Sequence, residues 1–180
     1  MYWRCVLFLL ISFTPLQSFA QYNSVIHKTY SQRSPILFPF YIDTLVNVHT
    51  NASAGTQKIA DLRQATQKAG DKDLLLEIIL MEAHNDYHHQ LRSGQQIITT
   101  LDSLNSVAQK EKKYWLIARI ESLMSFIYFD KGFNYELSFL HYKKLEEVIQ
   151  KLTVEDFSPK LTLLFFIIYT FMVNNCVNLF

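Results

Sequence analysis

The chain is 180 residues long, with 49% hydrophobic residues, 17 Lys and Arg against 16 Asp and Glu, and only four glycines and two cysteines. Near-neutral charge leaves no basic excess to hold a nucleic acid, and so few glycines leave little material for a phosphate cradle. Cys5 and Cys176 lie at opposite ends, and removal of the first twenty residues would leave Cys176 alone, so packing rather than a disulfide must stabilise the domain.

Met1 to Ala20 has the three parts of an export signal in order: Arg4, an apolar core from Cys5 to Leu16, and small residues at Ser18 and Ala20. The core is shorter than the ~20 apolar residues that a membrane span needs. We expect residues 1–20 to be a signal peptide and the mature protein to be exported to the periplasm. Residues 21–55 read as an extended leader, because Pro35 and Pro39 each remove a backbone donor and bias the preceding residue away from helix. A short helix or strand is expected over Tyr41 to Val48.

From Thr56 the periodicity becomes helical. Ile59, Leu62, Ala65 and Ala69 recur at helical spacing, and Gly70 supplies a stop. Asp71 and Asp73 open a second helix, expected to run to Leu91, because carboxylates favour the positive end of the helix dipole. Ser93-Gly94 breaks that helix, and Ile97, Ile98, Leu101, Leu104 and Ala108 form the stripe of a third. The fourth, from Lys113 to Phe129, is apolar on nearly all sides and so must lie between neighbours. Its small residues Ala118, Ser122 and Ser125 are placed to admit a closely packed helix. A fifth, after Asn134, buries Leu137, Ser138, His141, Leu145 and Val148 along one face. Helix starts near Thr56, Gly94 and Asn134 give a period of roughly 40 residues, the mark of repeated hairpins that bury one another's apolar faces. The expected fold is all-α: an α-solenoid of about three antiparallel helix hairpins over residues 56–160.

Tyr128, Gly132, Tyr135, Ser138, Tyr142 and Leu145 stand at the places of a tetratricopeptide-type repeat, which this stretch resembles. One extra residue separates Gly132 from Tyr135, and Leu145 replaces the usual alanine. The order of export signal, divergent helical repeats and the segment Glu155-Asp156-Phe157-Ser158-Pro159-Lys160 is similar to the exported N-terminal regions of bacterial sensor histidine kinases and related signalling regulators. That resemblance implies a protein- or peptide-binding scaffold on the sensor side of a signalling protein. It departs after Lys160, where Leu161 to Phe180 carries no charged residue and no kinase, phosphate-loop or DNA-reading motif. This tail is expected to be an incomplete repeat, a membrane-associated segment or an interface, and a truncated remnant without function is the limiting case.

No hydrolase, zinc-protease, P-loop or dinucleotide motif occurs, so no catalytic, cofactor-binding or metal residue is expected. The rival reading is a small exported metal-binding or hydrolytic protein built on His84 and His88, four residues apart, with Glu77 on the same helix face. His141, inside an apolar stripe, reads as a core histidine bonded to backbone.

Overall fold

A computed structural model of the chain describes residues 22–41, 52–130, 134–153 and 156. Among these residues the structure is all-helical and contains no strand: α1 (Tyr30–Tyr41), α2 (Ala52–Ala69), α3 (Lys72–His88), α4 (Gly94–Lys110), α5 (Tyr114–Asp130) and α6 (Tyr135–Ile149). The expected signal peptide, the Tyr41–Val48 element beyond Tyr41, and the uncharged tail lie outside the described residues. No described helix is long and apolar enough to cross a membrane.

The turns are as short as antiparallel hairpins require. Gly70 closes α2 with a positive φ of 71°, the left-handed geometry that glycine adopts without penalty. Asp71 then caps α3, its carboxylate accepting from Leu74 N at 3.0 Å. Ser93 and Gln96 form a reciprocal capping box at the start of α4. The helix expected to run to Leu91, α3, ends earlier than its periodicity implies. His89 caps it, Gln90 turns the chain with φ 55°, and Leu91 is left half exposed.

From α2 onward, helices adjacent in sequence pack on one another, and α3 also meets α5, so successive hairpins stack side by side in an α-solenoid-like arrangement. One apolar cluster joins α3, α4 and α5 through Leu80, Ile97, Leu101, Leu116, Ile120 and Met124; another joins α2 and α3 through Ile59, Leu62, Leu74, Ile78 and Met81. The α5–α6 contact is the most extensive, and its small residues explain why. Ser125 Oγ donates to the Ser138 carbonyl and Ser138 Oγ to the Ser125 carbonyl, both at 2.9 Å. Side chains this small let the two backbones approach, as the small face of α5 led us to expect.

The leader departs from its expected extended form. Residues 30–41 are helical despite Pro35 and Pro39. A proline inside a helix removes a hydrogen bond and costs roughly 3 kcal/mol, so α1 has little helical tendency of its own. Its conformation is imposed by what it lies against.

Candidate functional site

The face built by α3 and α5 carries three large groups unusual for a helix-packing surface: Glu77 from α3, and Trp115 and Arg119, one turn apart, from α5. The two helices are also tied at their entry, where Lys113 Nζ contacts Asp73 at 2.7 Å. Across this face lies α1. Its buried residues are Tyr30, Arg33, Ser34 and Leu37, at positions i, i+3, i+4 and i+7, the spacing that puts one side of a helix into a receiving surface.

Tyr30, Arg33 and Leu37 each have partners on the other helices, and the first two share Trp115. Tyr30 stacks on Trp115, with centroids 4.1 Å apart and planes 10° from parallel. The Arg33 guanidinium sits over the same indole at 5.5 Å, while Arg119 lies over the Tyr30 ring at 5.9 Å. Arg33 Nε donates to Glu77 Oε2 at 2.7 Å, and Arg119 Nη1 donates to Glu77 Oε1 at 2.7 Å. One carboxylate thus serves two guanidinium groups, one from α1 and one from α5. Leu37 enters the α2–α3 cluster. The leader is fastened further upstream by His27 N, which donates to Asp71 at 2.6 Å, and by the Tyr22 hydroxyl, which reaches the Lys58 carbonyl at 3.4 Å. The helix meets its neighbours through these long side chains and not through close backbone packing.

Burial sets the electrostatics here. It pushes the Glu77 carboxyl above its ordinary range, against the pull of Arg33, and it lowers Arg119 from the usual guanidinium value. It also pushes the Tyr30 phenol up to about 12, with the Arg119 charge opposing. The fit is incomplete: Arg33 Nη2 is buried without a hydrogen-bond partner, and the Tyr30 hydroxyl lies near Ser34 and Arg119 but outside bonding geometry.

A second buried polar group joins α4, α5 and α6. Glu121, 2% exposed at its side chain, accepts from Asn105 Nδ2 at 2.6 Å and meets His141 Nδ1 at 2.7 Å. Tyr128 stacks on the imidazole, with centroids 5.3 Å apart. His141 is therefore in the core as expected, but its partner is a carboxylate from the neighbouring helix and not backbone. The signal for both clusters was present in the sequence as charges at apolar positions. Glu77 falls among Leu74, Ile78 and Met81, and Arg119 and Glu121 interrupt an otherwise apolar helix. Nothing local identifies their partners.

The histidine site is not assembled as the rival reading requires. His84 and His88 do approach, with ring centroids 4.6 Å apart. Glu77, however, is buried and paired with Arg33 and Arg119. Among the described residues no group of three or more His, Cys, Asp or Glu side chains could hold a metal ion. Burial, followed by the His88 charge, lowers the His84 pKa to about 3. Tyr87 beside them donates to Asp130.

Comparison with family models, with curated proteins and with solved structures returns no match for this chain.

Proposed function

We propose that this protein is a recognition scaffold of tetratricopeptide type that binds a protein or peptide segment and performs no catalysis. The observation that carries the reading is α1 on the α3–α5 face. A short helix of poor intrinsic stability is held there by anchors at i, i+3, i+4 and i+7, which is how helical segments are recognised by a receiving face. Small residues at the α5–α6 contact, with Ser138 and Leu145 buried at two positions of the repeat pattern, support the tetratricopeptide likeness. The signal-like first twenty residues support export to the periplasm, where the scaffold would serve as the sensor-side part of a signalling protein.

The test is selection from a displayed library of random helical peptides on the full chain. A recurrent sequence pattern with micromolar affinity supports the reading; absence of any enriched pattern overturns it. The metal or hydrolytic rival is tested in parallel by calorimetry with zinc. Heat at micromolar metal that is lost in His84→Ala/His88→Ala would favour that rival over the scaffold.

A further inference from the structure

We infer that α1 is a built-in occupant of a binding site for other chains, and that the α3–α5 face takes a helical segment of a partner protein bearing an aromatic residue, an arginine, a small residue and an aliphatic residue at i, i+3, i+4 and i+7. The inference rests on the scaffold reading and adds to it the location of the site, its ligand chemistry and its regulation.

Four features point this way. First, the site keeps its charge balance when α1 leaves, because Glu77 retains Arg119 at 2.7 Å and the carboxylate is never left bare. A structural ion pair closed by α1 alone would collapse instead. Second, α1 is held as a ligand is held. An aromatic stack on Trp115, one charge-assisted bond to Glu77 and an aliphatic anchor at Leu37 do the work, while its backbone stays at a distance from the other helices. Third, Pro35 and Pro39 make the free segment a poor helix, so part of the docking energy is spent on ordering it. A partner with the same anchors and no prolines avoids that cost and can compete even against the high local concentration of a tethered segment. Fourth, Arg33 Nη2 has no partner in the closed state, so a competing arginine with better placement gains a bond that α1 lacks.

The face selects by chemistry. Trp115 and Arg119 offer a π surface and a cation for an aromatic ring, and Glu77 demands a cation in return. Lysine in place of arginine would lose the planar stack over the indole and part of the directed bond. An acidic segment would meet Glu77 and be rejected.

The experiment uses the full chain and a fluorescein-labelled synthetic peptide of residues 22–41, read by fluorescence anisotropy. In the chain carrying Tyr30→Ala/Arg33→Ala/Leu37→Ala the site is vacated, and the peptide is expected to bind at least tenfold more tightly than to the wild-type chain. Adding Glu77→Gln or Trp115→Ala to the vacated chain should weaken binding at least tenfold. The milder Arg33→Lys chain, which keeps its charge and most of its packing, should fall between the two. Equal binding to wild-type and vacated chains, or none to either, overturns the inference. So does loss of the folded state in both the triple variant and Arg33→Lys by circular dichroism, since α1 is then an integral core helix. Light scattering that shows the wild-type chain exchanging α1 in a dimer would assign the face to a second copy and overturn the separate partner. Peptides selected from the random library that bind a different surface would leave the scaffold reading standing while this inference falls, so the two failures are distinguishable.

Discussion

Replacing Glu77 with alanine places two buried cations against each other. The Glu77 carboxylate is 2.7 Å from Arg33 Nε and 2.7 Å from Arg119 Nη1, and the two arginine side chains are 1% and 9% exposed. Neither guanidinium can recover its hydration without movement of α1 or α5. Removing one member of a buried ion pair typically costs ~3–5 kcal/mol, because the remaining charge is uncompensated. Arg33→Ala removes a bond of the same length but leaves Glu77 paired with Arg119. Its cost is the charge-assisted hydrogen bond to Glu77, the local Nη1 bond to the Lys28 carbonyl and the packing of the stem over Trp115, together ~2–3 kcal/mol. The expected order is therefore Glu77→Ala above Arg33→Ala by about 1–2 kcal/mol, although both delete the same Arg33–Glu77 contact. Equilibrium urea unfolding measures both values. Circular dichroism reports the helices, and fluorescence in a Trp3→Phe background reports Trp115 in its stack with Tyr30. A Glu77→Ala loss below about 1 kcal/mol, or one no larger than that of Arg33→Ala, would refute the claim that one carboxylate holds two buried cations.

The other predictions concern acid sensitivity and the second polar cluster. His84 has a folded pKa lowered from 6.5 to about 3, so below pH 6.5 the unfolded chain binds a proton that the folded chain does not. Stability from this group is complete above pH 6.5 and is lost as pH falls toward 3, by at most about 1.4 kcal/mol per pH unit. The His84→Gln chain should show a shallower loss over that window in urea midpoints taken at successive pH values, and parallel profiles would contradict the assignment. At the α4–α5–α6 junction, Glu121→Ala leaves Asn105 Nδ2 and His141 Nδ1 unpaired in a site where Asn105 Oδ1 already has no partner. A loss of ~2–4 kcal/mol is expected from denaturant unfolding, and less than about 1 kcal/mol would show that water or a shifted side chain replaces the carboxylate.

The five helices from Ala52 onward were legible because their signals are local. Gly70, Asp71 and Ser93 mark turns by their own conformational and capping chemistry, and the stripe Ile97–Leu101–Leu104–Ala108 needs only a 3.6-residue period. Two kinds of information were not local. The prolines of α1 oppose helix and predict an extended segment, and the tertiary contacts of Tyr30, Arg33 and Leu37 override that preference. The ion cluster pairs Glu77 with residues more than forty positions away on either side, and Glu121 meets His141 twenty positions on. No periodicity encodes such pairings. They were announced only by charges standing where an apolar residue was due, as with Glu77 on the stripe of α3 and Arg119 on α5. The His84–His88 pair reads as chemical in sequence because Glu77 shares its helix face, although two turns away, and in the fold that carboxylate belongs to two arginines.

Native-state hydrogen exchange on the full chain tests most directly whether α1 is an occupant or a core helix. The amides of Ser34, Ile36 and Leu37 should exchange through an opening that leaves α3 and α5 closed, at a free energy at least about 2 kcal/mol below that of Ile78 and Ile120. The same free energy for all five amides, with the same denaturant dependence, would mean that α1 leaves only when the whole protein unfolds, and the account of a displaceable occupant would be wrong.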